Sequence, residues 1–237
     1  MWLDYSILGE VRISMEEYLR GVLKKFPEEI TETPETPSAA IFFKFKDNNE
    51  RELLDEKRAH AFHHTVSQLL FTGIRCRNES HTAIHFLTTR VRKPDEDDWK
   101  KLRRLLGYLK RTNKLPLILR SNGLNTIKWW VDTLYADNDN MRGHIGGTMS
   151  MGKNGRGSII SILMKKKLNT KISTETELIG ADNVMPQILW KKYFLEAQGY
   201  GIDKNILYLD NTNAVLLEKN GKKSSTKKRN ISTCATI

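Results

Sequence analysis

The sequence predicts an α/β protein, with a mostly helical first half and a mixed-sheet second half. Three observations carry this. From Asp55 to Arg111 the apolar residues recur at helical spacing, and after Arg120 they alternate at strand spacing. Between the two patterns stands the turn cluster SNGLN, Ser121 to Asn125. A chain of 237 residues is long enough for two parts, each burying a core. The expected division is a helical segment, 1–120, then a mixed-sheet domain, 121–221, then a basic polar tail, 222–237, expected to be poorly ordered.

In VRISMEEYLRGVLKKF, residues 11–26, the positions Met15, Leu19, Val22, Leu23 and Phe26 fall on one face of a helix, with Ser14 as N-cap. The acidic, proline-bearing stretch PEEITETPETPSAA predicts a loop, and AIFFKFKD, Ala40 to Asp47, a short strand. A second helix is expected over Asp55 to Ile74, with Phe62, Val66, Leu69 and Leu70 inward, and a third over Thr82 to Arg90. The fourth, PDEDDWKKLRRLLGYLKR, has the clearest signals. Asp95 can cap it, Glu96, Asp97 and Asp98 occupy its first turn, and Lys110 and Arg111 its last, so the charges complement the helix dipole. Trp99, Leu102, Leu105, Leu106 and Leu109 form its buried stripe.

Beyond the boundary, TIKWWVDTLYAD, RGHIGGTMSMG and GSIISILMKKK read as three strands, the last two joined by the turn KNGRG. A long helix begins near Ser173 and ends near Gly199, with Pro186 inside it, where a missing N–H removes a hydrogen bond. ILYLDN, Ile206 to Asn211, predicts a strand, and NAVLLEKNG a final helix.

Thirty-nine Lys and Arg against 28 Asp and Glu give a net charge of +11, which favours a polyanionic partner over a merely solvated basic surface. Candidate phosphate contacts are Lys100, Lys101, Arg103 and Arg104, with Lys110 and Arg111 beyond them, and a second patch at Lys165, Lys166 and Lys167. The alternative for the first group is the solvated face of an amphipathic helix. No apolar run is long enough to span a bilayer, and the N-terminus lacks the order of a secretory signal. Two distant cysteines, Cys76 and Cys234, fit free thiols in a reducing compartment, so an intracellular location, cytoplasm or nucleus, is expected. Five of the six histidines, His60, His63, His64, His81 and His85, cluster at spacings that admit zinc, but no cysteine or acid completes a ligand set.

Three acids stand at element boundaries of the second half: Asp132 in WWVD, Glu177 in STETEL and Asp210 in YLDN. Acids scattered in this way can converge on one sheet edge. Clustered carboxylates repel unless a cation neutralises them, and hard oxygen ligands suit magnesium or manganese. Each acid also has a structural role open to it. Glu177 stands at capping-box spacing from Thr174, Asp210 can cap a following helix, and Asp132 in another strand phase faces solvent. Periodicity alone leaves both readings open.

The order VD, then STxxEL, then LDN, with ILMKKKLNTKISTETELIGA, WKKYFLEAQG and DNTNAVLLEKNG between and after, resembles the RNase H domain of copia-type LTR-retrotransposon polyproteins. Upstream, FHHTVSQLLFTGIRCRNESHTAIHFLTTRVRKPDEDDWKKLRRLLGYLKRT is similar to the helical segment joining that family's reverse-transcriptase palm to its RNase H domain. The resemblance runs from about Val11 to Arg229. It implies an RNase H-like fold and Mg2+ or Mn2+ on Asp132, Glu177 and Asp210 as catalytic residues. It also implies hydrolysis of RNA in RNA–DNA hybrids. The chain departs from the family pattern in three places. The polymerase's paired aspartates would precede Met1, so no DNA polymerisation is expected. Arg77-Asn78-Glu79-Ser80 stands where the family has Arg-Pro-Asp-Ile. ISTCATI replaces a final strand and helix that supply a further carboxylate, so a truncated domain with weak or lost activity is expected. A non-catalytic, basic nucleic-acid-binding remnant of a mobile element is the alternative.

Overall fold

The computed structural model describes residues 1–39, 41–44, 51–133, 144–152, 156–165, 173–211 and 234–236. It is an α/β protein of two compact units, Met1–Ile118 and Leu119–Ile237.

The first unit begins with two strands, β1 (Trp2–Asp4) and β2 (Glu10–Ser14), paired antiparallel with Leu3 opposite Ile13. Helices α1 (Glu16–Lys25), α2 (Glu56–Arg75), α3 (His81–Thr88) and α4 (Glu96–Arg111) follow. Strand β3 (Leu117–Arg120) completes a sheet of order β1-β2-β3. The helix expected from residue 11 therefore starts later. Residues 11–14 are committed to strand pairing, and Met15 rather than Ser14 is the N-cap, while the Ser14 hydroxyl still accepts the Glu16 N–H at 3.4 Å. The strand expected at 40–47 is, over Ile41–Phe43, a turn. The backbone N–H groups of Phe42 and Lys44 donate to Ala39 and Ile41, and both Phe42 and Phe43 pack on Phe86. Consecutive side chains on one partner are incompatible with strand alternation.

Helix α4 forms as its charges require. The Asp95 carboxylate accepts the Asp98 N–H at 2.9 Å and Asp98 reciprocates at 3.1 Å, a complete capping box. Trp99, Leu102, Leu105, Leu106 and Leu109 then lie in one core with Leu19, Phe62, Val66 and Leu87.

The second unit carries a five-stranded sheet of order β6-β5-β4-β7-β8. Strands β4 (Thr126–Thr133), β5 (His144–Met151) and β6 (Ile160–Lys165) run antiparallel in turn. Helix α5 (Ser173–Ala197) then carries the chain to β7 (Lys204–Tyr208), parallel to β4 with Trp130 opposite Tyr208. A parallel neighbour requires such a crossover. Alternation on β4 sends Ile127, Trp129, Val131 and Thr133 inward and leaves Trp130 and Asp132 exposed. Ala181, Val184 and Ile188 of α5 pack on the inward set, one stripe at 3.6-residue period. Pro186 falls on the solvent side of α5, so the helix continues past it. Strand β8 (Cys234–Thr236) pairs antiparallel with β7, inside the stretch expected to be a disordered tail. The helix expected from NAVLLEKNG lies outside the described residues.

Candidate metal centre

Strand β4 delivers Asp132 next to its end, and Asp210 follows β7 by two residues. Glu177 is four residues N-terminal to Ala181, so it continues the buried stripe of α5 to the sheet's edge. The three meet there. One carboxylate oxygen from each of Asp132, Glu177 and Asp210 lies within 4.8 Å of the others. Asp132 and Asp210 are exposed, whereas Glu177 is 5% exposed.

The buried carboxylate is held from one side only. The hydroxyl of Thr133 donates to Glu177 Oε1 at 2.6 Å. Glu177 Oε2 is buried with no hydrogen-bond partner. Burial pushes the Glu177 carboxyl above the usual glutamate range; the Thr133 bond opposes the shift, and repulsion from Asp210 and Asp132 adds to it. Close approach of α5 to β4 makes this possible, because a Cβ on Gly180 would overlap the Thr133 methyl. Neither Thr133 nor Gly180 is among the three clustered carboxylates, and sequence reasoning missed both. The available signal was alternation: a residue next to an outward acid on a strand must point toward the helix.

A buried oxygen without a partner, on a carboxylate that lies beside two others, is costly, and a cation relieves it. The donor set is all oxygen and anionic, which fits Mg2+ or Mn2+. It is the only group of three or more His, Cys, Asp or Glu with metal-binding spacing among the described residues. The histidines form no such group: His60, His63 and His64 are exposed, and His81 is buried, with burial lowering its pKa.

The candidate phosphate contacts divide. Lys100 is exposed. Lys101 is buried, donating to the Lys44 carbonyl at 2.7 Å and pairing with Asp97 at 2.7 Å, so it does not form part of a phosphate-tracking surface. Arg103 pairs with Glu28 at 3.3 Å, Arg104 donates to the Thr36 hydroxyl at 3.2 Å, and Arg111 pairs with Glu35 at 3.4 Å. Lys110 donates to the Ile30 carbonyl at 2.7 Å. The acidic loop after α1 thus lies along the basic side of α4, and Gly107 admits the Glu32 carbonyl where a Cβ would block it. Lys165 ends β6, and Lys166 and Lys167 lie outside the described residues. At the departure from the family pattern, Arg77 is buried. It pairs with Glu79 at 2.7 Å and donates to the Thr112 carbonyl at 3.1 Å, joining the start of α3 to the end of α4. Cys76 is a free, buried thiol whose pKa burial raises. No helix among the described residues is long and apolar enough to cross a membrane.

No protein-family model matches the chain, and no solved structure does. Among curated proteins, it is 24% identical over 213 residues to the retrovirus-related Pol polyprotein from transposon TNT 1-94 of Nicotiana tabacum. The match covers 88% of this chain and 16% of that polyprotein. Over most of its length the chain is therefore similar to one stretch of a retrotransposon Pol polyprotein, which supports a mobile-element origin.

Proposed function

We propose that the chain is a fragment of a copia-type LTR-retrotransposon polyprotein. In this reading the first unit corresponds to the end of the reverse transcriptase, and the second is an RNase H-like domain for hydrolysing RNA in RNA–DNA hybrids. The observation that carries the reading is the convergence of one carboxylate oxygen each from Asp132, Glu177 and Asp210 within 4.8 Å, with Glu177 buried and one of its oxygens without a partner. Those three residues would hold Mg2+ or Mn2+, which supplies activation of a water and stabilisation of the leaving oxygen in phosphodiester cleavage.

The protein's own part is positional. Asp132 and Asp210 face solvent and can meet a phosphate-bound cation, while Glu177 anchors the inner side. Three carboxylates suffice to seat one cation. Fixing two in the arrangement that in-line cleavage needs takes more ligands than the described residues bring together. The activity is accordingly weak or lost in this chain. Beside it, the net charge of +11 supports binding to hybrids and duplexes through phosphates.

Mn2+ binding and hybrid cleavage, measured on the parent and on Asp132→Asn, test this. The reading expects Mn2+ to bind the parent, affinity to fall in the variant, and any cleavage to be abolished by it. Cleavage or Mn2+ binding that survives Asp132→Asn unchanged refutes the site. Salt-sensitive hybrid binding with no Mn2+ binding at all leaves the non-catalytic remnant as the function.

A further inference from the structure

We infer that Thr133 is a positioning residue that restricts Glu177 to a single free oxygen and thereby sets which divalent cation the centre prefers. The inference rests on the carboxylate reading above and deepens it.

A carboxylate can bind a cation through one oxygen or through both. Ca2+ accepts either mode, takes six to eight ligands and tolerates irregular geometry, whereas Mg2+ and Mn2+ favour a tight octahedron. Which mode Glu177 can use is decided by Thr133. Its hydroxyl donates to Oε1 at 2.6 Å, and this oxygen is thereby turned toward β4. Oε2 is left buried and without a partner. The hydroxyl has little freedom, because Thr133 is 8% exposed and its methyl lies against Gly180 where no other side chain fits. Glu177 is 5% exposed and sits on the packed stripe of α5, so its carboxylate has little room to turn away from Thr133. Asp132 and Asp210, being exposed, carry no comparable restraint from burial. Thr133 is therefore the described residue whose hydrogen bond gives the acidic cluster a fixed inner ligand.

Outer partners that orient a metal ligand typically change affinity by about 10–100-fold when removed. Here the change should depend on the cation. Thr133→Val keeps the shape and removes the hydroxyl, freeing Oε1 for two-oxygen binding. Thr133→Ser keeps the hydroxyl and removes the methyl. The experiment counts bound Mn2+ by electron paramagnetic resonance on the full chain and measures its displacement by Mg2+ and by Ca2+. The expected result is a Mg2+ over Ca2+ preference that falls on the order of tenfold in Thr133→Val and returns in Thr133→Ser. A general loosening of the fold would lower both affinities together and would not be rescued by serine. Mn2+ binding with the same preference in parent and Thr133→Val overturns this inference and leaves the carboxylate site standing. No Mn2+ binding by the parent overturns both.

Discussion

The indole N–H of Trp99 donates to Glu28 Oε1 at 3.0 Å, between residues 71 positions apart. Glu28 Oε2 takes Arg103 at 3.3 Å, and the Arg58 guanidinium lies 4.6 Å from the centre of the Trp99 ring. This pairing fastens the acidic loop to α4 and neutralises Arg103, whose side chain stays 37% exposed. Each phosphate contact contributes roughly 0.9 to the salt slope of duplex affinity. The variant Arg103→Gln with Arg104→Gln should keep the parent's slope for an RNA–DNA hybrid, measured between low and moderate salt. A slope reduced by about 2 would mean that the loop gives way to nucleic acid.

Gly180→Ala should damage the second unit. Its new methyl has to displace the Thr133 side chain, and overpacking of this kind costs about 1–3 kcal/mol. Chemical denaturation should show the loss, and Mn2+ affinity should fall with it because Glu177 is moved. Full stability with unchanged affinity would contradict the close approach of α5 to β4.

The acid cluster predicts a pH dependence in the metal-free protein. The folded state raises the Glu177 carboxyl above its unfolded value, so it holds the proton more tightly than the unfolded chain does. This group's contribution is favourable to folding where Glu177 is protonated, and it is lost as pH rises from the ordinary glutamate range through the raised value. Glu177→Gln should therefore become more stable relative to the parent as pH rises through that window, and saturating Mg2+ should cancel the gain. Parallel stability curves for parent and variant, read by thermal melting across acid to neutral pH, would contradict the buried repulsive site.

In the first unit, Asp95→Ala should be among the most disruptive single changes. Asp95 caps α4 and takes Arg51 at 2.8 Å, with Arg90 at 3.5 Å. Losing a cap costs about 1 kcal/mol, and removing the carboxylate that pairs with Arg51 adds more, up to about 3–5 kcal/mol for a fully buried pair, while Arg90 keeps Asp98 at 3.1 Å. Asp95→Asn keeps an acceptor for the Asp98 N–H and should recover roughly the capping part. Equal stability of both variants would show that the cap contributes nothing, and parental stability in Asp95→Asn that the charge contributes nothing.

How much of this was legible depends on how far apart in sequence the causes lie. Helix α4 was readable because its capping box joins Asp95 to Asp98 and its stripe recurs every three or four residues. The three acids were readable as an ordered pattern at element ends. Strands β1 and β2 were not, since their pairing partners are short and carry no alternation strong enough to outweigh the helical spacing of 15–26. Nor was the fate of Arg103 and Arg104, which is decided by a loop some 70 residues earlier, or of Lys101, which reaches the Lys44 carbonyl. Thr133 lay beside a named acid and still went unread. Its role exists only once Gly180 lets α5 approach.

The pairing of Trp130 with Tyr208 has one more effect. Asp132 lies two residues past Trp130 and Asp210 two past Tyr208, so both acids overshoot the same rung of a parallel ladder by equal steps. Neighbouring strands stand about 4.8 Å apart whatever their side chains. The backbone ladder is therefore a ruler, and the gap between the two acids is a property of strand spacing rather than of side-chain packing. Substitutions throughout the core can soften the domain and leave that gap intact. A one-residue slip of β7 would turn Asp210 to the other face of the sheet and abolish the gap outright.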